Sequence, residues 1–444
     1  MVSTTATLSP ESSEAMLPDG SRQRFSDLTH LPPPREPTTW GEAGVKLNEA
    51  EALVLKCLFH FGHLTGGEAA REVCLPKVLV SRSLERLRSE FLVAIRSSAG
   101  VNDYVYELTE QGFRRARQHM LRSPYVGPAP VPLGSYRLAM EHQSLRRETH
   151  STERLTHALG ELDMSPRLVS RLAQGISDGR GLFLHGSSGN GKTSIAERIG
   201  TAFGSALWIP RTVGASGDVI RLFDPTLHSE VFLPELDSTP YDRRWVLIRR
   251  PTVMVGGELT LQHFDARSSA AQGICEAPLH MKAVGGVLVI DDFGRQRVTT
   301  TEILNRLIVP LEKGSDYLHL ASGRQLEVPF DALLVLATNL EPRELVDEAF
   351  LRRIPYKIEV PGPTRDAFVR VWNRVAAHMG FAAEDGVVEY LLTVHYEQAT
   401  RPLRFCHPRD LLRQVRNYCI VHRQPLVITR EAIDAAAENY FGLF

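Results

Sequence analysis

Cysteine is scarce in this chain. There are five among 444 residues (Cys57, Cys74, Cys275, Cys406 and Cys419), odd in number, scattered and without a C-x-x-C pair. That pattern argues against both a disulfide framework and a zinc site, leaving reduced, buried thiols as the expectation. No window holds the run of about 18 consecutive apolar residues that crosses a bilayer as a helix. The Met1-Val-Ser-Thr-Thr start also lacks the basic and apolar stretches of a secretory signal, so the chain is expected in the cytoplasm with no membrane contact. Charge of one sign is missing too: Lys plus Arg number 51 against 52 Asp plus Glu, so nucleic-acid or acidic partners would have to be met by a local patch. What remains is ordinary globular material, 43% hydrophobic, over a length that suits two or three domains with separate cores.

Residues 1–42 are rich in Ser, Thr, Pro and Glu, include Pro32-Pro33-Pro34, and read as a mobile tail. A packed unit is expected over 43–122. Ala52, Leu53, Leu55, Leu58 and Phe59 recur at helical spacing behind Asn48 and Glu51, which are placed as a capping box. A short segment at 67–73 and a second helix over 78–90 follow, then strand-like runs at 91–95 and 104–108 and a last helix from Thr109. Pro124, Pro128, Pro130 and Pro132 mark 123–148 as a stiff linker. Beyond it apolar runs alternate with helical patterns, which predicts an α/β core over 149–362 with a parallel sheet flanked by helices. Helical patterns after Pro361-Gly-Pro363 predict a separate helical unit over 363–444.

The strand-like Gly181-Leu-Phe-Leu-His185 runs into Gly186-Ser187-Ser188-Gly189-Asn190-Gly191-Lys192-Thr193-Ser194, a full G-x-x-x-x-G-K-[ST] phosphate loop. Its glycines let backbone N–H groups turn toward an anion, and the following helix adds its positive end. Lys192 would reach the β and γ phosphates of ATP, and Thr193 would place its hydroxyl on Mg²⁺. Gly286-Val-Leu-Val-Ile-Asp291-Asp292 reads as a strand buried on both faces with two carboxylates at its carboxyl end. Asp291 is assigned to Mg²⁺ and Asp292 to the attacking water. A third run, Leu333 to Ala337, ends at Thr338-Asn339, whose amide can bond a γ-phosphate oxygen and the lytic water; alone, such an Asn is more often a turn former.

These three elements in this order resemble the AAA+ ATPases over residues 150–444. The resemblance implies Walker A at Gly186–Ser194, Walker B at Asp291-Asp292 and sensor 1 at Asn339. It implies arginine fingers at Arg352 or Arg353, in Asp347-Glu-Ala-Phe-Leu-Arg-Arg353, with helix-end capping as the alternative. It implies a sensor 2 arginine at Arg409, in His407-Pro-Arg409-Asp, set in a helical lid. A homo-oligomeric, hexamer-like ring that hydrolyses Mg-ATP at its interfaces to remodel a protein client follows from the same likeness. Gly285-Gly-Val-Leu-Val-Ile-Asp-Asp, with Glu276-Ala-Pro before it and Leu311-Glu-Lys-Gly after it, is similar to the MoxR-like and magnesium chelatase branch. Asp292 stands where that family has Glu, which sets the water-polarising oxygen back. The 43–122 unit resembles winged-helix domains, down to Tyr106-x-Leu-Thr109 before the final helix, and implies DNA contact or protein docking. Two alternatives therefore stay open: a DNA-bound ATP switch, and a nucleotide-gated scaffold with weak hydrolysis. Residues 243–257, with Arg243, Arg244, Arg249 and Arg250, read as a hairpin with a basic strand, either a substrate-contacting insert or a decorated loop.

Overall fold

The computed structural model describes residues 31–147, 152–160, 162–203, 206–215, 217–232, 236, 239–269, 274–320, 323–345 and 348–442, with only backbone ladders at 15–16 and 22–23 before them. Most of the expected tail therefore lies outside the described residues. Its end does not hang free: Arg35 bridges Tyr241, and the N–H of Asp242 donates to the Pro34 carbonyl at 2.9 Å.

The N-terminal unit is α1 (Leu47–Phe61), β1 (His63–Thr65), α2 (Gly66–Val73), α3 (Lys77–Ser89), β2 (Val93–Ser98), β3 (Tyr104–Leu108) and α4 (Glu110–Arg122). The three strands pair antiparallel in the order β1-β3-β2. Leu53, Val54, Leu58, Leu84 and Leu87 fill its core. The capping box proposed at Asn48 is not there: α1 starts after Lys46, whose side chain makes no cap, and Glu51, turned inward, pairs with Arg86 at 3.2 Å. Reciprocal capping boxes form instead at Thr65–Glu68 and Thr299–Glu302, where the glutamate faces solvent and is free to bend back.

The proline-rich stretch after α4 is packed rather than extended through solvent. Tyr125, Ala129 and Val131 are buried, and the Ala129 N–H donates to Val73 at 2.7 Å. β4 (Val131–Pro132) joins a sheet, and α5 (Leu133–His142) buries Tyr136 and Met140. Prolines stiffen this path, but the apolar residues between them decide where it lies.

The α/β half begins with α6 (Pro166–Asp178), β5 (Gly181–His185) and α7 (Lys192–Ala202), followed by β6 (Ala206–Pro210), β7 (Thr212–Ala215), β8 (Asp218–Arg221), β9 (Trp245–Arg249) and β10 (Thr252–Val255). Next come β11 (Arg267–Ser269), β12 (Ile274–Glu276), β13 (Val287–Ile290), α8 (Thr300–Lys313), β14 (Ser315–His319), β15 (Gln325–Pro329), β16 (Leu333–Thr338) and β17 (Tyr356–Glu359). Five strands form one parallel sheet in the order β10-β13-β16-β5-β17, flanked by helices. Val287, Leu288, Val289 and Ile290 are wholly buried in it. Removing each such side chain from water stabilises the fold by about 1.5–3 kcal/mol, which is why an unbroken apolar run takes the middle of the sheet.

The basic hairpin expected at 243–257 does not form. β9 pairs antiparallel with β6, and β10 enters the parallel sheet beside β13. A second five-stranded sheet, β11-β12-β8-β7-β4, gathers strands from three distant segments and packs under the N-terminal unit through Ile274 and Val219. The C-terminal unit is α9 (Arg365–His378), a π-helical turn at Leu391–Glu397, α10 (His407–Val421) and α11 (Arg430–Phe441) around Phe368, Trp372, Leu412 and Ile433.

Candidate functional site

Because β5, β13 and β16 run parallel and adjacent, their carboxyl ends open on one edge, and the loops leaving them meet. The loop after β5 turns at Gly186, φ 133°, where a Cβ would stand 2.7 Å from the Val360 carbonyl oxygen. At Gly189, φ 82°, a Cβ would stand 2.4 Å from Cys406 Sγ. Glycine is required at both positions by conformation and by space. Asn190 is buried and its amide donates to Val360 O at 3.4 Å. Gly191, φ 86°, caps α7, so Lys192, Thr193 and Ser194 form its first turn, while Ser187 and Ser188 stay exposed.

Lys192 Nζ donates to the carbonyls of Gly186 (2.8 Å) and Ser187 (3.0 Å) and to Asn339 Oδ1 (2.5 Å). Burial pushes its pKa below the ordinary lysine value, opposed by Asp291 and Asp292 and reinforced by Arg404. Thr193 Oγ1 donates to Asp291 Oδ2 at 2.8 Å, tying the loop to the end of β13. Asp291 Oδ1 receives the N–H of Asp292 at 2.9 Å, and Asn339 Nδ2 donates to Asp292 Oδ1 at 3.4 Å.

The turn after β13 is held from several sides. Asp292 sits at φ 47°, a left-handed conformation that aspartate tolerates better than most residues. Gln296 donates to the carbonyls of Asp291 (2.9 Å) and Asp292 (3.2 Å) and receives the Gly294 N–H, while Thr338 Oγ1 donates to Phe293 O at 2.8 Å. Gln296 carries no motif in the sequence, and its positioning role emerges only from the folded turn.

The arginines designated from sequence, Arg352, Arg353 and Arg409, do not meet these residues. Arg352 and Arg353 precede β17 and Arg180 precedes β5, so all three sit at the opposite end of the sheet, where they line a cleft of about 550 Å³ with Leu311 and Glu312. Arg353 Nε pairs with Glu312 at 2.6 Å. Arg409, in the first turn of α10, is more than half exposed and pairs with Asp410 at 3.1 Å. No hydrogen bond joins it to the phosphate-loop residues among those described. The C-terminal arginine that does reach the loop is Arg404, whose Nη1 donates to Ser188 O at 3.3 Å. The Cys406 N–H donates to Gly189 O at 2.9 Å, so the strand of chain entering α10 lies on the loop itself.

A domain of unknown function, DUF8689, matches residues 364–439, which is the C-terminal helical unit. No curated protein matches the chain. Among solved structures, the RuvB Holliday junction branch migration motor of Thermotoga maritima aligns at 15% identity and TM-score 0.37, covering 63% of this chain and 71% of that one. NtrX of Brucella abortus aligns at 12% identity and TM-score 0.40, covering 62% of this chain and 55% of that one.

Proposed function

We propose that this chain is an ATPase of the AAA+ class that binds Mg-ATP on the Gly186–Ser194 loop and hydrolyses it at the interfaces of a ring-shaped homo-oligomer to remodel a partner macromolecule. One observation carries this reading: hydrogen bonds connect Lys192 to Asn339 and Thr193 to Asp291, joining three strand ends into one polar edge. A glycine-lined loop at a helix N-terminus suits a polyphosphate.

The donor set fits magnesium. A hydroxyl and a carboxylate, both hard oxygen donors, stand 2.8 Å apart. Among the described residues no group of three or more His, Cys, Asp or Glu could cage a metal, so an ion here would need phosphate oxygens as well, which is how Mg²⁺ is normally held. Bound Mg-ATP supplies the phosphoryl group and neutralises part of its charge.

The chain's own groups then divide the work. Lys192 exchanges loop carbonyls for phosphate oxygens, with Thr193 and Asp291 holding the metal side. Asp292 orients the attacking water, and Asn339, already bonded to both Lys192 and Asp292, senses whether the terminal phosphate is present. Arg404 approaches the phosphates in cis, a place the sequence reading gave to Arg409. Arg352 and Arg353, at the far end of the sheet from their own loop, serve a neighbouring subunit's site.

The side chain of Asp292 is short and its Oδ1 already accepts from Asn339, which favours slow hydrolysis and keeps a scaffold-like variant of this function in view. Replacing Asp292 by Glu should raise single-turnover hydrolysis if the wild type is tuned for holding nucleotide. For the ring, the ATPase rate per protomer should rise with protein concentration. Arg352→Ala should lower that rate by about 10³-fold with binding retained. A concentration-independent rate that Arg352→Ala leaves unchanged would remove assembly from the account.

A further inference from the structure

The N-terminal unit carries two arginine-bearing helices, and their charges are spent differently. On α3, Lys77 pairs with Asp103 at 2.9 Å, and that carboxylate also receives the N–H groups of Gly66 and Gly67. Arg86 pairs with Glu51 at 3.2 Å and Glu90 at 3.3 Å. Arg82 and Arg88 are left on its exposed side, with Glu85 between them.

On α4 the balance is reversed. Its one acid, Glu110, meets Arg114 at 3.6 Å, while Arg115, Arg117 and Arg122 have no carboxylate partner among the described residues. Gly112 and Ala116 are the buried positions, and α4 packs on α1. With about 100° per residue, Gln111, Arg114, Arg115, Gln118 and Arg122 then fall on one outward stripe without an acid. Arg115 and Arg122 stand about 10 Å apart along it.

The positive charge extends inward from this stripe. Lys56, 7% exposed, donates to the Ser123 carbonyl at 3.1 Å and has no carboxylate partner among the described residues. Burial first, and then the charges of Arg115, Lys56 and Arg122, hold the His119 pKa below the ordinary histidine value. Cations gathered without acids repel one another, and the chain as a whole is nearly neutral. An anion with regularly spaced charges would relieve that repulsion.

A lipid surface is the poorer match, because the small-residue face of α4 is already used against α1 and no continuous apolar face is left to enter a bilayer. We propose that α4 is a phosphate-contacting helix on which the N-terminal unit docks the phosphodiester backbone of a nucleic-acid duplex, through Arg115 and Arg122, with α3 secondary. This deepens the reading that the chain acts on a partner macromolecule by naming that partner's chemistry, and it is independent of nucleotide hydrolysis.

Fluorescence anisotropy of the full chain without nucleotide, on labelled DNA and RNA duplexes across a salt series, tests it. Binding to either duplex is expected. R115A/R122A should weaken it by about tenfold and flatten the log–log salt slope by about 1.8, with R115K/R122K restoring both. R82A/R88A should stay within about twofold, and unchanged far-UV circular dichroism should accompany every variant. A slope lowered by R82A/R88A but not by R115A/R122A would move the contact to α3 and overturn the assignment. Absence of duplex binding at low salt, with or without uptake by phosphatidylglycerol vesicles, would remove the nucleic-acid partner while leaving the ATPase reading intact.

Discussion

The two five-stranded sheets of this molecule are built on opposite principles. In the parallel sheet the three inner strands, β13, β16 and β5, are buried apolar runs each followed by a loop with its own chemistry, and their carboxyl ends deliver Lys192, Asp291 and Asn339 to one edge. In the second sheet, strands of two to four residues arrive from around 131, 212–221 and 267–276, in mixed directions, and buried polar pins fix their surroundings. The first sheet builds a site from local signals. The second builds a platform from long-range contacts and joins the N-terminal unit to the core.

The largest expected effect separates these roles. Arg244, 3% exposed, pairs with Asp242 at 2.7 Å, donates to the Ala43 carbonyl at 2.7 Å and through its own carbonyl receives the Arg211 N–H just before β7, so it clamps the N-terminal segment beside the platform. Arg244→Ala strands a buried carboxylate, and thermal unfolding should reveal a loss of about 3–5 kcal/mol. Nucleotide affinity measured below the new transition should be unchanged. A large loss of affinity with intact stability would erase the distinction between the two sheets.

This clamp also shows where the sequence stops being legible. Arg243, Arg244, Arg249 and Arg250 look like a basic, substrate-facing strand, yet Arg244 is buried against Asp242, and Arg250 donates to the carbonyls of Gly285 and Gln143. Nothing local distinguishes a buried arginine from an exposed one. The Gly186–Ser194 loop, by contrast, is legible in its geometry because each residue's place follows from its neighbours in sequence: glycine for the turn, lysine at the helix start, a hydroxyl beside it. Arg404 escaped notice for the opposite reason. Its reach to Ser188 depends on the Cys406 backbone lying on Gly189, a contact across more than two hundred residues of chain.

A smaller effect is expected where the two sheets' supports meet. His280, wholly buried against Phe330, faces Asp316 at 3.2 Å, with Arg306 bonded to the same carboxylate. Burial pushes its pKa down to about 4, with Asp316 opposing and Arg306 assisting. The unfolded chain, with a histidine near 6.5, therefore takes up a proton between pH 6.5 and 4 that the folded chain refuses, so this contribution to stability is full above 6.5 and falls as pH falls. Going from pH 7 to 4.5 should cost on the order of 2 kcal/mol through this residue, and His280→Gln should flatten the denaturation midpoint over that window. An identical pH profile in the variant would contradict the assignment.

The smallest expected effect sharpens the site itself. Arg404→Ala should weaken nucleotide binding by about tenfold, the loss of one charge-assisted contact of about 1.5 kcal/mol. Arg409→Ala should change it by less than about twofold. The reverse ranking would return the cis role to Arg409.

Isothermal titration with Mg-ATP is the most direct measurement of all. The account predicts saturable heat in the wild-type chain that disappears with Lys192→Ala and is weakened by Asp291→Asn, with all three proteins folded. No heat in the wild type, or equal heat in Lys192→Ala, would contradict the claim that the edge joining Lys192, Thr193, Asp291 and Asn339 is a nucleotide site.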